Sequence, residues 1–399
     1  MNILSIAYCR IYQGLFRLMQ PMLPYREPKI LADEKDLILV LREKNITRVM
    51  LVTDKGVYGS GLTADLEHEL DRAGIKVTTF SGVVPNPNTL NVEDCVKIYN
   101  ANCCEAIIAF GGGSPIDCAK ALGARIANPK KSLRQMKGLL KVSRKLPLLI
   151  AIPTTAGTGS ETSVSAVITD SDTRHKYVIN DFNLIPNYAM LKAKLTIGLP
   201  PYITATTAMD ALTHAIEAYI GRSTTKETRK KAKDAVNLIL NNVLIAYKDG
   251  SNIEARENLL KASFYAGVAF SKSYVGYVHA ISHSLGGKYN VPHALANAVI
   301  LPYVLRAYGK KIYRKLFKLG LHAGLYDDNT TIEEGVYKFM KAIDKLNEVM
   351  NIPNKIDEIE IEDIRSLAKI AAKEANPLYP VPVLFSAREL EMIYYDIKK

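Results

Sequence analysis

Histidines are concentrated in one short stretch of the chain, where their spacing could hold a divalent metal ion. Three of the seven histidines, His279, His283 and His293, fall within fifteen residues. A fourth, His214, follows Asp210 by four residues in MDALTHAIEAY. Side chains four apart on a helix share one face, so each such pair can direct two polar groups at a common point. One carboxylate with several imidazoles is a ligand set that suits Fe(II) or Zn(II).

Each pair also has a simpler interpretation, because histidines four apart occur as surface residues or as satisfied core pairs. The stretch HAISH invites comparison with the HExxH motif of zinc proteases, whose glutamate is the general base. Position 280 is alanine in this chain. The sequence therefore does not support a protease.

A glycine-rich turn is the second chemical signal. The apolar run EAIIAF leads into GGGSP at residues 111–115, and a helical pattern follows. Glycines let backbone N–H groups approach an anion closely, and the N-terminus of the next helix is partially positive. The turn predicts a phosphate cradle, although tight turns need glycine anyway and GGGSP is not the GxGxxG fingerprint.

Two further features favour a dinucleotide. Asp54 ends a predicted strand, where a carboxylate can bind the hydroxyls of an adenosine ribose. The stretch PTTAGTGSE at residues 153–161 gathers small residues and hydroxyls that could hold a diphosphate or a nicotinamide. A turn cap and an ordinary surface loop are the simpler alternatives. Together with the glycine turn, these features predict a dinucleotide site.

The elements that must position these residues differ between the two halves of the chain. In the first half, apolar runs at residues 48–54, 76–83, 105–110 and 146–155 alternate with helical patterns. This alternation predicts βαβ units and a parallel sheet. After the break at residues 200–201, the periodicity is helical to the end of the chain.

The length of 399 residues points to two domains. We predict an α/β dinucleotide-binding domain over residues 1–198 and an all-α, metal-binding and substrate domain over residues 199–399. Hydrophobic residues at 48% and charged residues at 23% are ordinary for a folded protein.

Charge and cysteine usage bound the partners and the compartment. The net charge is +12, but Lys and Arg are spread along the chain rather than gathered in an aromatic-rich stripe, so no nucleic-acid partner is expected. Five cysteines, without metal-ligand spacing, are typical of free thiols in the cytoplasm. Residues 1–22 are apolar, interrupted by Arg10 and Arg17, and predict an amphipathic helix or an edge strand and no membrane partner.

Four motifs carry a resemblance to a known family: GGGSPIDCAK, IPTTAGTGSE, MDALTHAIEAY and HAISHSLGGKYNVPHALANA. Their order and spacing resemble the iron-containing (group III) alcohol dehydrogenases, from Pro24 to Pro377. The resemblance implies a dehydroquinate synthase-like fold, with an N-terminal α/β nucleotide-binding domain, an all-α C-terminal domain and an active site in the cleft between them. It also implies direct hydride transfer between a nicotinamide cofactor and a metal-bound small primary alcohol or aldehyde.

The same resemblance assigns roles to individual residues. The metal ligands fall on Asp210, His214, His279 and His293. His283 matches a histidine held off the metal, and its ordinary pKa of about 6.5 suits a catalytic proton carrier. Spacing alone would instead group His279 with His283.

For the cofactor, the resemblance places Asp54 at the adenosine ribose and Asn86 beside the nucleotide. The other implied contacts are Gly112, Gly113, Ser114 and Asp117 at the pyrophosphate, and Thr154, Thr155, Ser163 and Lys176 on the ribose and nicotinamide side. An acidic Asp54 repels a 2′-phosphate, so NAD is expected rather than NADP, although the family uses both.

The substrate pocket is where this chain departs from the family pattern. Relatives often read AFSNAGLG where this chain reads AFSKSYVG. Phe270 keeps a ring that lines the pocket in relatives, and Tyr274 would narrow it towards small alcohols. Lys272 could attract an anionic substrate group, unless it and Tyr274 face away.

Several alternatives remain open at this point. A polyol or polyol-phosphate dehydrogenase of the same fold would act on a different substrate, and a dehydroquinate synthase-like lyase would surround the metal with basic residues. A purely structural protein would leave the metal-type side chains and the dinucleotide turn unexplained. The resemblance further implies a homodimer or a larger homo-oligomer.

Overall fold

The computed structural model describes residue 1 and residues 3–399. These residues form two compact units. One unit is Pro24–Ile197, and the other combines Met1–Leu23 with Gly198–Lys399.

The first unit contains all nine strands and six helices of the described residues. The strands are β1 (Lys29–Leu31), β2 (Arg48–Asp54), β3 (Lys76–Val83), β4 (Ala106–Gly111), β5 (Gly138–Leu139), β6 (Leu148–Pro153), β7 (Ser165–Thr169), β8 (Lys176–Asn180) and β9 (Tyr188–Met190). Its helices are α2 (Glu34–Glu43), α3 (Lys55–Gly59), α4 (Ala64–Arg72), α5 (Thr89–Ala101), α6 (Gly113–Ala127) and α7 (Leu133–Met136). Helix α1 (Ile3–Met19) belongs to the other unit.

The main sheet has six strands in the order β1-β9-β6-β4-β2-β3, and all of its strand pairs are parallel. The central strand β4 is buried throughout, as expected for a parallel sheet covered on both faces. A smaller sheet has the order β5-β8-β7, with β7 antiparallel to β8. The predicted α/β class with a parallel sheet is confirmed.

The second unit is helical. Besides α1, it contains α8 (Pro201–Ile220), α9 (Lys226–Lys248), α10 (Ile253–Ser273), α11 (Tyr277–Tyr289), α12 (His293–Tyr308), α13 (Tyr313–His322), α14 (Ile332–Val349), α15 (Ile361–Ala375) and α16 (Ala387–Ile397). Helix α8 is almost wholly buried and packs against α9, α10 and α12. It begins at Pro201, whose fixed φ suits a first helical position. The predicted all-α class of the C-terminal half is confirmed.

Residues before the first strand form a helix, so the edge-strand alternative does not occur. Helix α1 lies on the helical unit rather than in the α/β unit. The Arg10 guanidinium donates to the carbonyl of Val381 at 2.8 Å, and the Gln13 amide donates to that of Tyr379 at 2.7 Å. In the described part of the chain, no helix combines the length and the apolar composition needed to cross a bilayer.

Candidate active site

Helix α8 presents three polar side chains from its buried face. Asp210, His214 and Glu217 follow one another at intervals of four and three residues, so they share one face of the helix. Their exposed fractions are 1%, 5% and 3%. Polar groups buried this deeply need partners, and the partners come from α11 and α12.

His279 on α11 and His293 at the start of α12 complete a four-residue cluster. One ligand atom from each of Asp210, His214, His279 and His293 lies within 4.8 Å of the other three. The His214 and His279 rings are 4.5 Å apart, and the His293 Nε2 atom is 3.8 Å from Asp210 Oδ1. The structure therefore brings together the four predicted ligands, and their ligand role stays a prediction.

Glu217 anchors both His279 and the start of α11. Its carboxylate accepts hydrogen bonds from the backbone N–H groups of Gly276 at 2.7 Å and Val278 at 2.8 Å. It also lies 2.6 Å from His279 Nδ1, which leaves Nε2 of that ring for a metal. A Cβ at position 276 would meet Glu217 Oε1 at 2.6 Å, so this position requires glycine.

The protonation of these groups suits metal binding. Burial, together with the neighbouring His214, His293 and His283, lowers the pKa of His279 well below its usual value. The ring is therefore neutral, which is the form that binds a metal. Burial raises the pKa of Glu217 to about 7, and the two backbone N–H groups oppose that shift.

Asn297 is a fully buried residue that sequence reasoning missed. Its Nδ2 atom lies 2.7 Å from Asp210 Oδ1, 3.2 Å from His279 Nε2 and 3.1 Å from His293 Nε2. Three predicted ligand side chains thus converge on this amide. Asn297 follows His293 by four residues, and Glu217 follows Asp210 by seven. Both residues therefore share a helical face with a predicted ligand, and this spacing could have identified them from the sequence.

The cluster fits a divalent metal. Among the described residues, Asp210 Oδ2 is buried and accepts no hydrogen bond. A carboxylate oxygen left in this state is costly unless a cation binds it. One carboxylate and three imidazoles form the donor set, and Glu217 orients one of the imidazoles as metal-binding histidines require.

His283 points to a different partner, although it shares a helical face with His279. Its Nδ1 atom lies 2.6 Å from Glu374 Oε1, and the Tyr379 hydroxyl donates to the same oxygen at 2.7 Å. Burial alone would lower the pKa of His283, but the Glu374 carboxylate outweighs burial and raises it. The ring also stacks on His293 at 5.2 Å. His283 is thus beside the cluster, and its role as a proton carrier stays a prediction.

The two predicted pocket residues occupy different surroundings. The Phe270 ring stacks on His214 at 4.3 Å, so it borders the metal cluster. The Tyr274 ring packs edge-on against Phe16 of α1 at 5.0 Å. Lys272 forms an ion pair with Glu227 at 2.5 Å, which engages its charge away from the histidines.

In the α/β unit, the glycine turn joins β4 to α6. Gly111 has a φ of 146°, and a Cβ there would meet Pro115 Cγ at 2.6 Å, so no other residue fits. Gly112 is the N-cap of α6, and Gly113 is its first residue. A Cβ on Gly113 would lie 3.0 Å from Thr158. The turn therefore exposes backbone N–H groups at a helix N-terminus, as an anion site requires.

Other predicted cofactor residues lie at the same edge of the sheet. Asp54 ends β2 and caps α3, with Oδ1 accepting from the Val57 N–H at 2.9 Å. The backbone N–H of Asn86 donates to the Ser114 hydroxyl at 3.3 Å. Carboxyl ends of parallel strands are where nucleotides bind in such sheets.

Two of the remaining predicted residues, Ser163 and Asp117, lie beside Lys120, a buried lysine that the sequence did not single out. Thr154 and Thr155 directly follow β6, and Lys176 begins β8. Ser163 accepts a hydrogen bond from the Lys120 ammonium at 2.8 Å, and Asp117 accepts one from a backbone N–H of β7 at 3.0 Å. Asp117 and Ser163 therefore brace the loop that follows β6. Their contact with a cofactor stays a prediction.

Comparisons with known proteins identify the family of this chain. The model of the "Iron-containing alcohol dehydrogenase" family matches residues 33–193, and that of the "Fe-containing alcohol dehydrogenase family, C-terminal" matches residues 204–397. The 1,3-propanediol dehydrogenase of Klebsiella pneumoniae is 38% identical over 336 residues, which are 82% of this chain and 86% of that protein.

Solved structures are similar over nearly the whole chain. A 1,3-propanediol oxidoreductase has a TM-score of 0.88 at 34% identity, covering 93% of this chain and 97% of that one. Sulfoacetaldehyde reductase from Bifidobacterium kashiwanohense, in complex with NAD+, has a TM-score of 0.81 at 27% identity, covering 94% and 98%. The chain belongs to the iron-containing alcohol dehydrogenase family, and it is a metal-dependent alcohol dehydrogenase or aldehyde reductase that uses a nicotinamide cofactor.

Proposed function

We propose that this enzyme interconverts short primary alcohols and aldehydes, with Fe(II) held by Asp210, His214, His279 and His293 and NAD as the hydride carrier. The convergence of these four side chains on one buried point carries the proposal. Zn(II) fits the same ligands. When bound, the metal would act as a Lewis acid on the substrate oxygen.

The residues around the metal cluster supply positioning and proton transfer. His283 exchanges a proton with the substrate hydroxyl, and Glu374 orients its ring and stabilises its protonated form. Phe270, stacked on His214, shields the reacting groups from water. The substrate is small because Phe270 and the histidine rings border it.

Asp54 supports NAD over NADP. Its carboxylate stands at the carboxyl end of β2, where it repels a 2′-phosphate. We propose Gly112, Gly113 and Ser114 as the pyrophosphate contacts, with Asn86 beside them. The relative solved in complex with NAD+ is consistent with this choice.

We further propose that the enzyme works in the cytoplasm as a homodimer or larger homo-oligomer. All five cysteines are unpaired, which fits a reducing compartment. Sedimentation of the purified enzyme measures the assembly, and a monomer at working concentrations would contradict it.

The test combines metal analysis with a substrate screen. Protein purified without oxygen should contain iron, and it should oxidise NADH in the presence of short aldehydes, hydroxyaldehydes included. Replacing NADH by NADPH should lower kcat/KM, whereas the Asp54→Asn variant, which keeps the cap on Val57, should raise the NADPH-to-NADH ratio about tenfold. Protein without bound metal, or without aldehyde-dependent NADH oxidation, would refute the proposal.

A further inference from the structure

The outward half of α1 is apolar along its whole length. The most exposed side chains include Ile3 at 84%, Leu4 at 81% and Leu18 at 75%, with Ile11 and Leu15 more than half exposed. The inward half carries Cys9 and Gln13, which are buried on the helical unit. A helix that hides its polar groups and exposes its apolar ones marks an interaction surface.

This apolar face is wider than the seam between two paired helices. A coiled-coil seam is a narrow stripe of a and d positions, with charged residues on both sides. On α1, exposed Ile3 and Met19 extend the apolar face on opposite sides of the Leu4, Ile11 and Leu18 stripe. Within α1, no acidic side chain is present. Such a face fits the plane of a bilayer interface better than a single helix.

A group of cationic side chains lies beside α1, at the C-terminal end of α8. The Lys315 ammonium on α13 donates to the carbonyls of Ile220 at 2.6 Å and Gly221 at 3.0 Å. The next residue, Arg222, bonds through its backbone N–H to the carbonyl of Pro380 at 2.6 Å. The Arg10 guanidinium of α1 donates to the two carbonyls that follow in the chain, those of Val381 at 2.8 Å and Pro382 at 3.1 Å.

The charged side chains that act on Lys315 are themselves cations. Burial, followed by the charges of Arg229, Arg222 and Arg17, lowers the pKa of Lys315 to about 8. Glu227, at the start of α9, is already paired with Lys272. The helix that carries Lys315 also exposes Arg314 and Lys318.

We propose that the apolar face of α1 and the cation group of Arg10, Arg17, Arg222 and Lys315 dock this enzyme on an anionic phospholipid bilayer. The apolar side chains enter the boundary between headgroups and acyl chains, and the exposed Arg17 and Arg222 bind lipid phosphates. Arg10 and Lys315, which donate to backbone carbonyls, add positive potential beside them.

Charge selects this occupant. A second copy docked through this same face would bring its own Arg17 and Arg222 towards these cations, whereas an anionic lipid surface neutralises them. Helix α1 also lies before residue 33, where the first family model begins to match. The apolar face of α1 therefore lies outside both matched ranges, whereas Arg222 and Lys315 lie within the second. The inference does not depend on the proposed substrate.

Flotation with lipid vesicles tests the proposal. The full-length enzyme should float with vesicles of equal parts phosphatidylglycerol and phosphatidylcholine, and bind at least about tenfold more weakly to pure phosphatidylcholine. Raising the salt from about 0.05 M to about 0.5 M should weaken binding by a similar factor. The double variant Ile11→Asp/Leu15→Asp should lose binding, and Arg17→Ser/Arg222→Ser should reduce it.

A matched control separates docking from altered charge or folding. The double variant Ile370→Asp/Met392→Asp makes the same change at two exposed apolar residues on α15 and α16, and it should float like the wild type. Dehydrogenase activity should be unchanged in all variants. Equal binding to both vesicle types, or no flotation of the wild type, would overturn the proposal. The proposal would also be overturned if the wild type did not bind vesicles and Ile11→Asp/Leu15→Asp dissociated its oligomer.

Discussion

At the scale of single residues, Glu217 joins two tasks in one carboxylate. It accepts from two backbone N–H groups at the start of α11 and orients the His279 ring. Orienting groups of this kind typically change metal affinity 10- to 100-fold when they are lost. The carboxylate is therefore a determinant of metal binding although it lies outside the ligand set.

The Glu217→Gln variant should bind metal about 10- to 100-fold more weakly. A glutamine amide offers only one acceptor oxygen, so its NH2 group would face a backbone donor or the His279 N–H. Competition with a chelator measures the affinity. The control is Glu348→Gln on the exposed face of α14, and an unchanged chelator midpoint in Glu217→Gln would contradict the prediction.

The His283→Ala variant should lose about 100-fold in kcat while its metal content stays near normal, because His283 carries a proton rather than binding the metal. Steady-state kinetics and metal analysis of the same preparation check both points. The Glu374→Gln variant should shift the pH profile of kcat to lower pH, because the Glu374 carboxylate raises the pKa of His283. Loss of metal from His283→Ala would instead make His283 a ligand.

At the scale of elements, Lys120 ties α6 to the loop that follows β6. Its ammonium donates to the Ser163 carbonyl, the Ser163 hydroxyl and the Ser165 carbonyl, each at 2.8 Å. Burial lowers the pKa of Lys120 to about 8 and raises that of Glu161, in the same loop, to about 7. The loop thus contains buried ionisable groups whose protonation is linked to folding.

Glu161 should make stability depend on pH. Its folded pKa of about 7 lies above the ordinary 4.5, so the folded state binds the proton more tightly and stability falls as pH rises between these values. In the Glu161→Gln variant this pH-dependent loss of stability, about 3 kcal/mol, should be absent. Urea unfolding at several pH values measures it, with exposed Glu43→Gln as control. Parallel pH profiles for Glu161→Gln and the wild type would contradict the assignment.

Elements were predictable where a local pattern specifies them. The bounds of β2 and β3 match the predicted runs. Strand β2 is a buried apolar segment, as in a covered parallel sheet, and β3, at the edge of the sheet, is rich in β-branched residues. Helix α5 likewise begins at a local signal, since Asn88 and Asn91 form a capping box at its start. Glu374 could not be found locally, because it lies 91 residues from His283 in sequence.

At the scale of the whole molecule, the metal is expected to stabilise the helical unit. Its four predicted ligands come from α8, α11 and α12, so a bound ion links α8 to two consecutive helices that follow much later in the sequence. An ion that binds only the folded state adds about 2.7 kcal/mol when present at 100 times its dissociation constant.

Stripping the metal with a chelator should therefore lower the melting temperature, and adding Fe(II) or Zn(II) should restore it. Calorimetry or dye-based melting follows the shift. His293→Ala, which removes the most exposed of the four ligands, should lose most of the response. His322→Ala, whose ring pairs with Asp234, should keep it. If the melting temperature of the wild type were the same with and without metal, this linkage would be contradicted.

Gly276 contacts no predicted ligand atom, yet the space beside it is filled by Glu217. Glu217 and Gly276 can therefore be searched for together in homologous sequences. A glutamate seven residues after the ligand aspartate, together with a glycine three residues before the second ligand histidine, extends the metal motif to residues that no ligand list would include. A homologous sequence that retains the four ligands but lacks this glutamate and glycine is then expected to bind its metal more weakly, and this can be recognised from the sequence alone.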